Sequence, residues 1–202
     1  MRHGLAVWIA AALAGTGCSG ASAPDPVAPP PTTVPTPEPP PVLSVPMVDL
    51  DGVVNFIPFG APLANGATNP AYDFVTSRRG VDVRAVAAGV VTVVGAQPEY
   101  GDFEIHVRPT PSSDYLVIYD HVRDLGVAEG ASVSPGDRLG AVGHGNPGQG
   151  HVELQINRRG PPDVAVCPRE LGTEAFNAAH DAALLATGSP HPGVCLAPTV
   201  IP

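Results

Sequence analysis

Hydrophobic and polar residues alternate along several short segments in the middle of the chain. The alternation runs over residues 81–86, 104–108 and 151–156, β-branched residues fill 90–94, and 115–119 is a continuous apolar run. Alternation of period two places every second side chain on one face of a sheet, so each segment is predicted to be a strand. Glycine-rich turns separate the segments, and many short strands joined in this way are typical of a compact barrel or sandwich.

A helical pattern occurs only late in the chain. It runs from Thr173 to Leu185, with Thr173 placed to accept a hydrogen bond as N-cap and Gly188 near the end. The fold class predicted from these patterns is mainly β, with a short C-terminal helix.

The first residues have the composition of an export signal. Met1–His3 gives a short positive start, and the apolar run Leu5–Leu13 is too short to span a bilayer. Small residues then lead to Cys18, in an order that resembles the bacterial lipoprotein box, so residues 1–18 are predicted to be a lipoprotein signal with Cys18 as the lipidated residue. Ordinary secretion with cleavage nearby is the alternative. Both place the protein outside the cytoplasm, and the first anchors it to the cell envelope of a bacterium.

A proline-rich stretch follows the signal over residues 23–46. Such a segment favours extended polyproline geometry and forms no packed core, so residues 19–47 are predicted to be a spacer, with recognition of its proline runs as the alternative. Residues 48–160 are then predicted to form the β domain, and 161–202 a C-terminal extension that contains the helix.

Charge and residue usage exclude several classes of function. The net charge of −9 is unsuited to nucleic acid, which requires a basic face. All ten basic residues are arginine, so the chain has no lysine for Schiff-base chemistry or for a tethered cofactor. Cys167 and Cys195 form an even pair outside the signal, and in an oxidising compartment they are predicted to be disulfide-bonded.

Two sequence segments, which we call hairpin phrases, narrow the predicted fold class further. Residues 83–91 (VRAVAAGVV) and 133–143 (VSPGDRLGAVG) resemble the paired hairpin phrases of barrel-sandwich hybrid domains, which include lipoyl and biotinyl carriers and the lysostaphin/LytM-type cell-wall peptidases. The carriers need a lysine at a hairpin tip, and this chain has none. The carriers are therefore excluded, and the LytM-type peptidases and the membrane-fusion adaptors, which also belong to this group, remain.

Three further motifs carry the resemblance to the LytM-type zinc peptidases: residues 69–73 (NPAYD), 119–121 (YDH) and 150–153 (GHVE). Carried over position by position, the family's three zinc ligands fall on Asn69, Asp73 and Glu153, so only the aspartate is retained. The family's two supporting histidines, which orient the zinc-bound water and stabilise the oxyanion, fall on His121 and His151. The resemblance thus implies catalytic histidines in a degenerate metal site.

The altered donor set leaves three interpretations open. A neutral amide is a poor zinc ligand, whereas an oxygen-only set suits Ca²⁺ or Mg²⁺. Alternatively, the side chains of Asp73, His121, His151 and Glu153 share a displaced metal, or they form a metal-free hydrogen-bonded cluster. The predicted cofactor is accordingly none or a weakly bound divalent metal, zinc being that of the related family.

The remaining polar residues are expected to contribute less. His106 is expected at the surface or across a strand pair, and His180 and His191 in structural positions. His144 is expected in a solvated loop, with a position that leans into the site as the alternative. Asp120, between Tyr119 and His121, is expected to point away from the site.

The leading hypothesis is a cell-envelope lipoprotein with a degenerate LytM-like domain that binds peptidoglycan or regulates a cell-wall hydrolase. An active metalloendopeptidase with an altered ligand set is the alternative, and a non-catalytic structural adaptor is a third. The predicted partners are peptidoglycan or a wall hydrolase, and the membrane through a lipid anchor, without nucleic acid.

Overall fold

The computed structural model describes residues 38–143, 145, 147–189, 195 and 199–200. The predicted signal peptide, Cys18 and the greater part of the predicted spacer lie outside the described residues, as do His144 and His191. No helix in the described part of the chain has the length and apolar character needed to cross a membrane.

The described residues form eleven strands and two α-helices, preceded by a 3-10 turn at Leu50–Gly52. The strands are β1 Val53–Ile57, β2 Ala71–Thr76, β3 Asp82–Arg84, β4 Gly89–Gln97, β5 Asp102–Arg108, β6 Tyr115–Arg123, β7 Ser132–Val133, β8 Arg138–Val142, β9 Gly150–Arg158, β10 Val164–Ala165 and β11 Thr199–Val200. The helices are α1 Pro168–Leu171 and α2 Glu174–Thr187. The prediction of a mainly β domain with a short C-terminal helix is confirmed.

The strands form one antiparallel sheet, with the main order β1-β2-β9-β6-β5-β4-β7. The central strand β6 pairs with β9 along its first part, up to Asp120, and with β8 at its end, through Val122 and Arg123. β6 therefore changes neighbours at His121, the single residue between the two pairings.

Alternation along β9 separates the two faces of the sheet. Val152, Leu154 and Ile156 are fully buried, whereas the odd-numbered residues between them are partly exposed. The first set belongs to the hydrophobic core, and the second lies on the opposite face. This confirms the alternating strand that the sequence predicts.

Helix α2 packs on the core through an aromatic cluster. The ring of His180 lies 4.1 Å from that of Phe176 and 5.4–5.9 Å from those of Phe56, Tyr72 and Phe74. The predicted structural position of His180 is confirmed, because this residue is almost completely buried. α2 thus covers the core side of the sheet, and the opposite face is partly exposed at β9 and at Asp120 of β6.

Both predicted caps of α2 are present. The side chain of Thr173 accepts a hydrogen bond from the Phe176 N–H, and Gly188 ends the helix with a left-handed backbone. The predicted disulfide between Cys167 and Cys195 is also present, with its Cα atoms 5.7 Å apart.

The folded domain begins earlier than predicted. Leu43 and Met47, two apolar residues near the end of the predicted spacer, are completely buried in the core. The Leu43 N–H donates to the carbonyl of Leu171, and the Leu43 carbonyl accepts from the N–H of Thr173. The end of the spacer is therefore part of the domain, because its apolar side chains fill a gap beside the C-terminal extension.

Strands β1 and β2 were not predicted. Residues 71–76 (AYDFVT) are nearly all buried, since β2 lies between β1 and β9 and is covered by α2. Both faces of β2 are therefore enclosed, and a strand enclosed on both faces lacks clear alternation. This strand carries Asp73, so its placement determines the candidate site.

Candidate functional site

Five polar side chains lie together on the face of the sheet opposite to α2: Asp73, Asp120, His121, His151 and Glu153. We call this set the polar face. Asp73 on β2 and Asp120 on β6 both pair in register with Glu153 on the intervening strand β9. Residues paired in register project from the same face of a sheet, so three carboxylates form a row across adjacent strands. The convergence of separate motifs that the sequence implies is therefore observed.

The backbone of His121 has an unusual conformation. Its φ of 60° lies in the left-handed region, which residues other than glycine seldom adopt. The Asp120 side chain accepts a hydrogen bond from the His121 N–H, and the His121 carbonyl accepts one from Gly143. These bonds hold the conformation at the point where β6 changes neighbours, and strained backbone of this kind is concentrated at functional sites.

This conformation explains why the expectation for Asp120 was wrong. Strict alternation would separate Asp120 from His121, but the left-handed residue interrupts it. Asp120 Oδ2 lies 4.0 Å from His121 Nε2. Asp120 therefore belongs to the polar face, while the preceding Tyr119 is buried on the core side.

Tyr119 has a structural role in the core. It is fully buried, and its hydroxyl accepts a hydrogen bond of 2.9 Å from the N–H of Val86. The tyrosine of the central motif thus connects β6 to the first hairpin phrase and does not reach the polar face.

A buried carboxylate supports the imidazole of His121. Nδ1 of His121 lies 3.1 Å from Oδ2 of Asp102, whose side chain is completely buried. The edge of the Tyr100 ring packs against the same imidazole, with ring centroids 5.0 Å apart. Sequence reasoning did not identify Asp102 or Tyr100, and the only available signal was the alternation of Asp102 with Glu104 along β5.

The Asn69 side chain is already engaged by protein groups. Its Nδ2 donates to the carbonyls of Ile57 and Pro58 and, at 3.1 Å, to Oδ1 of Asp73, while its Oδ1 accepts from the Ala71 N–H. The residue is 1% exposed. The amide oxygen therefore already accepts a backbone hydrogen bond, and the amide nitrogen has no lone pair to offer a metal.

The ligand positions carried over from the zinc peptidases consequently do not fit zinc. Asn69 holds Asp73 by a hydrogen bond in place of binding a cation beside it. The metal roles predicted for Asn69, Asp73 and Glu153, and the catalytic roles predicted for His121 and His151, stay predictions.

A different group of donors is close together. Nε2 of His151 lies 3.4 Å from Oε1 of Glu153, and Nε2 of His121 lies 4.0 Å from the same oxygen. One donor atom from each of these three residues lies within 4.8 Å of the other two. The imidazole rings of His121 and His151 are 5.0 Å apart between centroids. Two imidazoles and one carboxylate are a donor set that zinc and related cations accept.

Burial perturbs the carboxylates of the polar face. Burial, followed by the negative charges of Asp73 and Asp120, raises the pKa of Glu153 well above its usual range. Burial also raises the pKa of Asp73, although the hydrogen bond from Asn69 opposes the shift. The row of carboxylates therefore resists carrying a full negative charge on every member.

His106 lies outside the polar face, on β5. Its Nε2 and Glu104 form a hydrogen bond, and this bond lowers the pKa of Glu104. Its partly exposed side chain agrees with the expected surface or cross-strand position.

Comparison with known proteins identifies the family to which the domain is similar. Residues 68–164 match peptidase family M23. This segment contains all five residues of the polar face and ends at β10. No curated protein is significantly similar to the chain.

Solved structures of this family resemble the domain at low sequence identity. The catalytic domain of the antimicrobial peptidase lysostaphin from Staphylococcus simulans is 23% identical with a TM-score of 0.46, over 55% of this chain and 84% of that one. The catalytic domain of a prophage-encoded M23 protein from Enterococcus faecalis is 21% identical with a TM-score of 0.45, over 56% and 89%. A zinc-containing peptidase from Vibrio cholerae is 20% identical with a TM-score of 0.46, over 57% and 36%. The chain spans 46% of the length of lysostaphin in its solution structure.

The family match, the mainly antiparallel sheet and the order of the motifs agree with one another. The segment that carries the polar face, residues 68–164, is therefore an M23-type domain, similar to the lysostaphin/LytM-type peptidases.

Proposed function

We propose that this chain is a lipoprotein of the bacterial cell envelope, anchored through Cys18, whose M23 domain binds cell-wall peptide on the polar face without the zinc site typical of its family. The observation that carries the proposal is the hydrogen bonding of Asn69, whose amide nitrogen donates to three protein acceptors and whose oxygen accepts from the backbone. A neutral amide engaged in this way is a poor substitute for a zinc ligand. The sheet and the supporting histidines are nevertheless retained. A domain that retains the sheet and the histidines but has an altered metal-ligand set supports a role in binding the wall peptide.

The chemistry of the polar face suits a peptide ligand. Its carboxylates accept hydrogen bonds from peptide N–H and amino groups, and its histidines exchange hydrogen bonds with carbonyls. Asp120, Glu153 and His151 keep side-chain exposures of 21–25%, so a ligand can reach them. Bonds to charged groups at this exposure contribute about 1.5–3 kcal/mol each.

Sedimentation with purified sacculi tests this proposal. The full chain is expected to co-sediment with sacculi, and Asp120→Asn to weaken binding about tenfold, because it removes one charged acceptor. Asp51→Asn is the matched control, since Asp51 is an exposed carboxylate beside α2, on the other side of the sheet. Failure of the wild-type chain to sediment with sacculi excludes wall binding. Capture of a wall hydrolase by the same chain would then support the regulatory form of the hypothesis.

An active metallopeptidase with altered ligands is the second candidate. The clustering of His121, His151 and Glu153 within 4.8 Å favours it. A metal bound there would polarise a scissile carbonyl and acidify its water, while the polar face would orient the peptide. Release of soluble peptide from sacculi, abolished by chelator, would support this candidate over simple binding.

A further inference from the structure

Three donor atoms of the polar face, from His121, His151 and Glu153, lie close to one another. Nε2 of His121 and Nε2 of His151 approach Oε1 of Glu153 to 4.0 Å and 3.4 Å. Three ligands that hold zinc at bonds of about 2.0–2.2 Å in tetrahedral geometry have donor atoms about 3.3–3.5 Å apart. The distance between Nε2 of His151 and Oε1 of Glu153 already has this value. The distance between Nε2 of His121 and the same oxygen requires a small side-chain movement to reach it.

The buried carboxylate behind His121 is a second and independent observation. Oδ2 of Asp102 accepts from Nδ1 of His121, and the other oxygen, Oδ1, is buried without a hydrogen-bond partner among the described residues. A neutral imidazole that donates through Nδ1 has its lone pair on Nε2, which is the nitrogen that faces Glu153. Histidine ligands of metals are commonly oriented by a carboxylate in this way.

The backbone favours the same arrangement. The left-handed conformation of His121 turns its side chain toward the polar face at the point where β6 leaves β9. His151 pairs with Val75 on β2, beyond the last residue of β9 that pairs with β6. The two imidazoles therefore lie side by side where the strands separate.

The charges of the polar face would be compensated by a cation. Asp73, Glu153 and Asp120 lie opposite one another on three adjacent strands, and like charges in this relation repel. Within the described part of the chain, the arginine ion pairs involve Asp82 and Asp181 only, so none neutralises this row.

We propose that His121, His151 and Glu153 bind one divalent cation of the zinc type. This ligand set shares Glu153 with the set implied by the family and has the two histidines in place of Asn69 and Asp73. In this site both histidines are ligands, Asp102 is a positioning residue for His121, and Asp73 remains bound to Asn69. The inference does not depend on wall binding, since the site consists of protein groups alone.

Metal titration of the full chain, purified without chelators, tests the site with Zn²⁺ as the probe. We expect one Zn²⁺ per chain by elemental analysis and calorimetry, and Co²⁺ substitution with visible absorption bands. His121→Gln, His151→Gln and Glu153→Gln are each expected to weaken Zn²⁺ binding at least about 100-fold, and Asp102→Asn about 10- to 100-fold. His106→Gln is the matched control, because His106 is a strand histidine beside a glutamate but outside the polar face.

Asp73→Asn separates the proposed ligands from those implied by the family. Retention of stoichiometric Zn²⁺ in this variant supports the proposal. Failure of the wild-type chain to take up Zn²⁺, or a greater loss in Asp73→Asn than in His151→Gln, overturns it. Circular dichroism establishes which variants are folded. If His121→Gln does not fold, His151→Gln provides the test, because His151 is partly exposed and its substitution disturbs the core less. Sedimentation with sacculi in the presence of chelator reports wall binding separately, so either proposal can fail alone.

Discussion

His180 shows how a single titratable side chain becomes part of a hydrophobic core. Its Nδ1 contacts the carbonyl of Phe176, and its Nε2 is buried without a hydrogen-bond partner among the described residues. Burial lowers the pKa of His180 to about 4, although the nearby charge of Asp181 opposes the shift. The folded protein therefore holds this imidazole in its neutral form.

We predict that His180 makes the fold less stable in acid. Its pKa is about 4 when folded and about 6.5 when unfolded, so between these values the unfolded state binds the extra proton. This contribution to the free energy of unfolding is complete above about pH 6.5 and falls by about 3 kcal/mol as the pH approaches 4.

Urea denaturation from pH 7 to pH 4.5 measures this contribution as the difference between the wild type and His180→Phe, which does not titrate. Both proteins contain the buried carboxylates of the polar face, whose effect on stability has the opposite pH dependence. The difference between the two proteins therefore cancels the contribution of these carboxylates. His106→Gln serves as the control at a partly exposed histidine. Parallel stability curves for the wild type and His180→Phe would show that His180 does not cause the effect.

Single side chains also explain where sequence reasoning about the site was incomplete. The order of the motifs correctly predicted that His121, His151 and Glu153 share one face. The hydrogen bonds of Asn69 were not predictable, because they involve carbonyls 11 and 12 residues away along the chain. The same holds for Asp102, which is 19 residues from the histidine that it supports.

At the level of the elements, strand β4 contains two glycines in different environments. A Cβ at Gly89 would lie 2.4 Å from the Arg108 carbonyl oxygen and 2.6 Å from a methyl group of Val107. A Cβ at Gly95 would have its nearest neighbour, the Glu104 carbonyl oxygen, at 3.8 Å. Only Gly89 is therefore required by close packing, at the end of the first hairpin phrase.

We predict that Gly89→Ala destabilises the domain by about 1–3 kcal/mol, because backbone atoms of β5 must move to admit the methyl group. Gly95→Ala, in the same strand, is the matched control, and its expected effect is neutral or stabilising by up to about 1 kcal/mol. Urea denaturation midpoints measure both changes. Equal midpoints for the two variants would contradict the packing argument.

The elements also differ in how clearly the sequence encodes them. β9 has one buried face and one open face, so its alternation was readable. β2 is enclosed between two strands and beneath α2, and its residues are almost uniformly buried. Its burial arises from contacts distant in sequence, and local periodicity therefore gave no prediction of this strand.

For the molecule as a whole, the disulfide ties the C-terminal segment to the domain. Cys167 lies at the start of α1, and its bond to Cys195 spans 28 residues that include α2. The helix contributes Phe176 and Leu184 to the core, so its detachment would expose the aromatic cluster.

We predict that removal of the disulfide lowers the free energy of unfolding by about 3–4 kcal/mol, as expected for a closed loop of this length. The double variant Cys167→Ser/Cys195→Ser provides the measurement by thermal and urea denaturation. Dithiothreitol should destabilise the wild type to the same extent and leave the double variant unchanged. If reductant alters both proteins equally, the effect does not come from this bond.

The sequence by itself determined the mainly β class, the capped helix, the disulfide pair and the resemblance to the LytM-type peptidases. These features depend on local alternation, on capping residues and on the order of motifs, all of which lie along the chain. Tertiary structure alone decided the committed hydrogen bonds of Asn69, the carboxylate behind His121 and the presence of Asp120 on the polar face. The physical reason is that each depends on groups brought together by the sheet, or on the left-handed backbone at His121, which the alternation of residue types does not encode.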